Sequence, residues 1–109
     1  MEKVPQSIYD QINNEVYKTQ GDIWWRPDHI LHLLKTSVNP WRVNYAIRVL
    51  KQLNIDPQGR SALEVGSGGG ILTEEIAKMG FTTTGIEPAE ESLQTAQLHA
   101  KAGGLNITY

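Results

Sequence analysis

Cysteine is absent from this sequence of 109 residues, and so is any long apolar run. The lack of cysteine excludes disulfides, thiolate zinc sites and cysteine nucleophiles, and it fits a reducing compartment. A membrane span needs about 20 apolar residues, and the N-terminus MEKVPQSIYDQ lacks the apolar core of a signal peptide. The formal net charge of -2 gives no electrostatic reason to bind nucleic acid. We therefore expect a soluble, cytoplasmic protein of at most one domain.

Residues 1–58 are predicted to form an N-terminal helical segment. Ser7 is placed to cap a first helix with apolar residues at four-residue spacing, and Asp28 to cap a short helix over residues 30–35. Asn39-Pro40 predicts the third helix, because a capping side chain is followed by proline at the first helical position.

The sequence pattern changes at Ser61 and predicts alternating strands and helices over residues 59–109. The predicted order is strand 61–65, glycine loop 66–70, helix 71–79, strand 81–86, helix 89–102 and strand 106–109. Strands joined by helices form parallel sheets with right-handed crossovers. The sequence therefore predicts an α/β fold, a Rossmann-like doubly wound sheet of which the first three strands are present.

The glycine loop Gly66-Ser67-Gly68-Gly69-Gly70 is the main candidate for a binding site. Glycine allows positive φ and lets a ligand approach the bare main chain, and the helix that follows directs free N–H groups at it. Glu87 ends the next strand, 21 positions after Gly66. An acid about 20 residues after such a loop binds ribose hydroxyls. Loop and acid together predict an adenosine-type ligand.

Two cofactors fit an adenosine site, and Glu64 favours one of them. A dinucleotide loop needs a small residue at its sixth position, where this sequence has Ile71, or Thr73 in the shifted frame. A carboxylate beside a pyrophosphate is repelled, whereas one beside an ammonium group is favoured. S-adenosylmethionine has an ammonium group and no phosphate, so it suits this loop better.

The stretch Leu63-Glu64-Val65-Gly66-Ser67-Gly68-Gly69-Gly70 resembles the E/D-x-G-x-G-x-G motif of class I S-adenosylmethionine-dependent methyltransferases, and Thr84-Gly85-Ile86-Glu87 resembles their second motif. Upstream, the pair Trp24-Trp25 and the stretch from Val38 to Tyr45 are similar to the ubiquinone-biosynthesis O-methyltransferases. The resemblance covers most of the chain.

This resemblance implies a role for each site residue. Arg42 would pair with the carboxylate of the methionine moiety, and Glu64 would orient its amino group. The main chain of Gly66 and Gly68, with Ser67 between them, would lie against the cofactor. Glu87 would accept hydrogen bonds from both ribose hydroxyls, since a carboxylate has acceptor sites for two donors.

The resemblance also implies a phenol or catechol as methyl acceptor and further strands beyond the third. No catalytic base is recognised in the sequence, and no metal site is predicted. The first strand would lack a neighbour on one side, so we expect a homodimer through that open edge as one outcome. The alternatives are a non-enzymatic nucleoside-binding or interaction module and a fragment of a nicotinamide oxidoreductase.

Aromatic and histidine side chains outside these motifs are given structural roles. Trp24, Trp25 and Trp41 are expected to be apolar anchors that pack the N-terminal helices against the sheet. His99 lies on a helix face that looks exposed, and the sequence assigns it no role. Glu74 lies in the first turn of a predicted helix, where its negative charge is interpreted as a favourable partner of the helix dipole.

Overall fold

The computed structural model of the protein describes residues 21–109, so the helix predicted after Ser7 lies outside it. The helical elements are a 3-10 helix Gly21–Trp25, a π-helix Leu34–Val38, and the α-helices α1 (Asn39–Gln52), α2 (Ile71–Lys78) and α3 (Glu90–Ala102). The strands are β1 (Ser61–Val65), β2 (Thr82–Ile86) and β3 (Ile107–Thr108). From residue 61 onward, the predicted order of elements is confirmed, and no bound differs by more than one residue.

The three strands form one parallel sheet in the order β1-β2-β3. In this register Glu64 lies opposite Gly85 and Val65 opposite Ile86, so β1 and β2 end side by side. The predicted fold class, an α/β Rossmann-like sheet with its first three strands, is confirmed. Because consecutive strands are neighbours, the loops that follow them meet at one edge of the sheet.

The two faces of the sheet differ in what covers them. Thr83 and Gly85 point to the face on which α2 packs, and both are buried. Leu63 and Val65 point to the other face, where they are 61% and 75% exposed. Among residues 21–109, β1 pairs with β2 alone, so its other edge has no strand beside it. Pairing of that edge with a second copy stays a prediction.

The start of α1 differs from the predicted cap at Asn39. The chain is already helical before this residue, and the Asn39 N–H donates to the Leu34 carbonyl oxygen in a π-type turn. Pro40 has no N–H to donate to a preceding carbonyl, and a π-type turn is one way to absorb that loss. The Asn39 side chain is buried and its Nδ2 donates to the Ile71 carbonyl oxygen over 2.8 Å. The capping prediction is therefore wrong, because a tertiary hydrogen bond uses the side chain.

Asp28 does not cap a helix either. Its carboxylate accepts hydrogen bonds from the neighbouring Arg26 guanidinium at 3.1 and 2.8 Å on the protein surface. The positive charge and hydrogen bonds of Arg26 lower the pKa of Asp28. Residues 27–31 form turns, so only residues 32–35 of the short helix predicted over residues 30–35 are helical, and they lead directly into the π-helix and α1.

The apolar faces of α1 and α2 meet across an open cleft of about 330 Å³. Its lining includes Tyr45, Val49 and Leu50 from α1, with Leu72 and Ile76 from α2. The apolar face of the helix after the glycine loop is thus turned toward α1. Trp41, however, is 81% exposed, so its predicted role as an anchor is wrong.

Candidate functional site

The glycine loop is joined to the end of β2 by main-chain hydrogen bonds. The N–H groups of Gly66 and Ser67 both donate to the Ile86 carbonyl oxygen, over 2.8 and 3.0 Å. The Gly68 N–H donates to Glu87 Oε2 over 3.0 Å. The loop and the acid, which the sequence places 21 positions apart, therefore face each other at the carboxyl edge of the sheet.

Glu87 is held in place by two main-chain donors. Besides the Gly68 N–H at Oε2, the Ala89 N–H donates to Oε1 over 3.0 Å. The side chain is only partly buried. A carboxylate offers about four lone-pair sites, so each oxygen keeps capacity for one more donor. This orientation suits an acid that accepts from two vicinal hydroxyls.

The loop glycines differ in which atoms surround the position that an added Cβ atom would occupy. At Gly66, with φ of +78°, an added Cβ would meet no atom within 4 Å. At Gly68 it would lie 2.6 Å from Trp24 Cη2, and at Gly69 it would overlap the base of the same indole. At Gly70 it would overlap the Tyr109 hydroxyl. Only Gly66 of these four has open space before it, whereas the others make room for side chains of the protein itself.

Glu64 lies on the covered face of β1, next to the first turn of α2. The Thr73 hydroxyl donates to Glu64 Oε2 in a short hydrogen bond. Burial raises the pKa of Glu64 above its usual value, although the Thr73 hydrogen bond and the positive charge of Arg42 both lower it. Arg42 is itself exposed on α1. Arg42 and Glu64 therefore lie near each other, whereas Glu87 contacts the loop from β2.

Ser67 is the predicted site residue with the least access to a ligand. It is buried, and a Cβ added at Gly85 on β2 would lie 2.9 Å from its hydroxyl oxygen. Its main-chain N–H already donates to Ile86. A contact between Ser67 and a cofactor stays a prediction, and the burial of the Ser67 side chain does not favour it.

Several residues of this region were missed or misread in the sequence. Glu74 lies in the first turn of α2, as interpreted, but it is buried, and His99 Nδ1 lies 2.9 Å from both of its carboxylate oxygens. The His99 ring stacks on the Trp25 indole with centroids 3.4 Å apart. The sequence assigned His99 no role, whereas in the structure its ring contacts both Glu74 and Trp25. The one available signal was that Glu74 and His99 lie on the two helices of consecutive β-α units.

Tyr109 completes the polar cluster beneath the loop. Burial raises the pKa of its phenol to about 12, and the negative charges of Glu74 and Glu64 add to the rise. The ring also lies against Gly85. At neutral pH the phenol is therefore uncharged.

Two kinds of feature were not found among residues 21–109. No helix in this range has the length and apolar content to cross a bilayer. No group of three acidic or histidine side chains within it is arranged to hold a metal ion.

Comparison with known proteins supports the sequence resemblance. The family "Methyltransferase domain" matches residues 63–109. The ubiquinone biosynthesis O-methyltransferase of Methylococcus capsulatus is 39% identical over 95 residues, which are 87% of this chain and 38% of that protein. The enzyme of the same name from Bordetella avium is 35% identical over 105 residues, or 96% of this chain and 42% of that protein. The chain thus spans about two fifths of these relatives.

A solved structure shares the fold. Magnesium protoporphyrin IX methyltransferase from Synechocystis with bound SAH aligns with a TM-score of 0.65 at 18% identity. The alignment covers 94% of this chain and 48% of the other. At this identity the likeness concerns the fold alone. The present chain has the part of that fold that the alignment covers, which includes its parallel sheet.

The class of protein that residues 63–109 match is therefore the methyltransferase domain family. Within that class, the chain resembles the ubiquinone-biosynthesis O-methyltransferases along most of its length.

Proposed function

We propose that the chain is the cofactor-binding part of a cytoplasmic S-adenosylmethionine-dependent O-methyltransferase. In this proposal residues 1–58 are a helical segment, and residues 59–109 are the first half of the cofactor domain. The acceptor is a phenol or catechol such as a ubiquinone precursor, in keeping with the names of the relatives. The observation that supports the cofactor most strongly is that Glu87 and the glycine loop meet beside the open space at Gly66.

The proposed binding roles follow the charges around the loop. The guanidinium group of Arg42 is planar and permanently charged, and it pairs with the carboxylate of the methionine moiety. The Glu64 side chain, as a carboxylate, attracts the ammonium group. The bare main chain at Gly66 allows the cofactor to lie close, and Glu87 accepts from the ribose hydroxyls. In this proposal the acid for the amino-acid end, Glu64, is on β1, and the acid for the ribose, Glu87, directly follows β2.

The chemistry requires a group that this part of the chain does not identify. When bound, S-adenosylmethionine supplies an electrophilic methyl group on a sulfonium centre. A phenol has a pKa near 10, so its oxygen needs a base or a metal to gain nucleophilic character at neutral pH. None of the residues 21–109 is assigned that role, and the binding functions can be tested without it.

A pair of glycine variants tests the cofactor site. Gly66 and Gly59 have nearly the same φ, +78° and +75°, and both face open space. Alanine at either position should lower the free energy of unfolding by about 1–2 kcal/mol, because left-handed φ is strained for a residue with a Cβ. Gly66→Ala alone should weaken binding of S-adenosylhomocysteine by about tenfold or more, since the added methyl stands where the ligand approaches. Calorimetric titration and thermal melting measure the two effects.

The same titration separates the alternatives. S-adenosylhomocysteine should release heat and raise the melting temperature of the parent chain, and NAD should do neither. Binding of NAD alone would overturn the methyltransferase proposal in favour of a nicotinamide site. Binding of S-adenosylhomocysteine without methylation of a catechol would favour a nucleoside-binding module for the isolated chain.

Glu64→Gln tests the acid proposed for the ammonium group. Burial raises the pKa of Glu64 in the folded state, so ionisation of this carboxyl opposes folding. The cost in folding free energy develops as the pH rises above the pKa of Glu64 in the unfolded state. Glu64→Gln should therefore be more stable than the parent at pH 7, with the gain disappearing at a pH where Glu64 is protonated in both states. Its affinity for S-adenosylhomocysteine should fall about tenfold through loss of a charge-assisted hydrogen bond. Melting curves from about pH 3 to pH 8 and calorimetry measure both.

The exposed Glu91 on α3 supplies the control for this substitution. Glu91→Gln should leave affinity at the parent value, because the side chain lies on the surface of a helix. Equal affinity of Glu64→Gln and the parent would remove Glu64 from the site.

A further inference from the structure

The segment Gly21–Trp25, here named the tryptophan segment, is fastened to the glycine loop. Ile23 is fully buried, and Trp24 Nε1 donates to Ser92 Oγ at the start of α3 over 2.9 Å. Trp25 Nε1 donates to the Gly69 carbonyl oxygen over 2.8 Å. The Trp24 indole fills the space over Gly68 and Gly69, as described above. The segment therefore contacts the loop through both packing and a hydrogen bond.

Trp25 is in turn held by the contact between His99 and Glu74, which links α2 and α3. Its indole stacks on the His99 ring with an interplanar angle of 6° and a centroid separation of 3.4 Å. His99 Nδ1 lies 2.9 Å from each carboxylate oxygen of Glu74, which is 3% exposed. The Lys35 ammonium lies 5.5 Å from the centroid of the Trp25 ring. The contact of His99 with the buried Glu74 carboxylate fixes the plane of the imidazole ring. Stacking on that ring in turn fixes the orientation of the Trp25 indole.

We propose that Glu74 and His99 are positioning residues of the cofactor site, acting through Trp25 on the main chain of Gly69. The proposal rests on the proposed function, in which the glycine loop binds S-adenosylmethionine. Neither side chain touches the space at Gly66. They act by holding the loop in the conformation that the cofactor requires.

The physical reason is the conformational freedom of the loop. Gly66, Gly68 and Gly70 have φ of +78°, +53° and +87°, values that glycine adopts at little cost among many others. Ordering such residues on binding would reduce affinity, because the lost entropy is subtracted from the interaction energy. A hydrogen bond to the Gly69 carbonyl oxygen between them orders the loop before the cofactor arrives.

Two conservative substitutions interrupt this chain of contacts at different links. Trp25→Phe keeps a ring to stack on His99 and removes the donor to Gly69. His99→Gln keeps a donor for the buried Glu74 carboxylate and removes the ring that stacks on Trp25. Neither leaves a buried charge unpaired, so both are expected to fold. Leu98→Ala, on an exposed neighbour of His99, is the matched control.

Affinity for S-adenosylhomocysteine, measured by calorimetry at a temperature where all variants are folded, tests the proposal. Each single variant should bind about fivefold more weakly than the parent, and the double variant about as weakly as the single variants, since both act through one contact. Leu98→Ala should bind like the parent. A purely structural role would lower the melting temperature of both variants and leave their affinities equal to that of the parent, which would overturn the proposal.

Hydrogen exchange separates failure of this proposal from failure of the proposed function. If the parent chain does not bind S-adenosylhomocysteine, the proposed function fails, and the fastening of the loop is still measured without ligand. Amide exchange in residues 66–74 should be faster in Trp25→Phe and in His99→Gln than in Leu98→Ala, because local opening of the loop becomes easier. Unchanged exchange in both variants would show that Trp25 does not order the loop.

Discussion

Glu87→Ala is expected to reduce the affinity for S-adenosylhomocysteine by at least about 100-fold. The proposed ribose contact comprises two hydrogen bonds to a charged acceptor, each worth about 1.5–3 kcal/mol, and every 1.4 kcal/mol changes affinity tenfold. The substitution also removes the acceptor for the N–H groups of Gly68 and Ala89. Stability should therefore fall by about 1–2 kcal/mol, and affinity must be measured by calorimetry below the melting transition.

Glu90→Ala is the control for this loss. Glu90 is exposed, lies three positions further along the chain and starts α3, so its removal also takes one negative charge from the same helix end. It should bind the ligand like the parent, with a stability change of a few tenths of a kcal/mol at a helix N-terminus. A Glu87→Ala protein that binds as well as Glu90→Ala would show that the ribose acid lies elsewhere.

The juxtaposition of Glu87 and the glycine loop could be predicted from the sequence because local rules determine it. Alternating strands and helices give parallel neighbours, and parallel neighbours bring their carboxyl ends to one edge. The glycines mark the end of one strand, and Ile86-Glu87 marks the end of the next. A single helix joins β1 to β2, so the two strands are expected to be neighbours. The loop after β1 and the acid after β2 are then expected to lie close together.

The contacts of the tryptophan segment could not be predicted in this way. Trp24 and Ser92 are 68 positions apart, and Trp25 and Gly69 are 44 apart, with no repeating pattern that relates them. The sequence shows that indoles are large and need a cavity, but it does not show which backbone provides one. The glycine-rich loop was interpreted as space for a ligand, whereas most of that space is filled by Trp24 and Tyr109.

Asn39 shows a different limit, in which a local preference competes with a tertiary contact. An asparagine before proline is a strong signal for a helix start. In the folded chain its side chain instead donates to the Ile71 carbonyl oxygen, which lies in the first turn of α2. This hydrogen bond connects α1, which includes the proposed carboxylate ligand Arg42, to the helix that follows the glycine loop. The residue thus helps to set the distance between two parts of the proposed site.

Gly69→Ala is expected to destabilise the chain by about 3 kcal/mol, the upper part of the range for an overpacked interior. The φ of Gly69 lies outside the left-handed region, so backbone strain is not the cause. The new Cβ would overlap the Trp24 side chain, whose indole is held in place by the hydrogen bond from Nε1 to Ser92. Either the indole leaves the loop or the loop moves. A melting temperature lower by more than about 10 °C should result in a domain of this size.

Gly103→Ala provides the matched control, because Gly103 also has a negative φ, of -82°, and its nearest neighbour would be 3.5 Å from an added Cβ. This variant should melt within a few degrees of the parent. If Gly69→Ala melts like Gly103→Ala, the indole does not pack against the loop, and the basis for a positioning role of Trp25 is weakened as well. If Gly69→Ala is destabilised and a second substitution, Trp24→Ala, restores part of the loss, the overlap itself is the cause. Such a rescue would show that the glycine at this position is required by the tryptophan segment and not by a ligand.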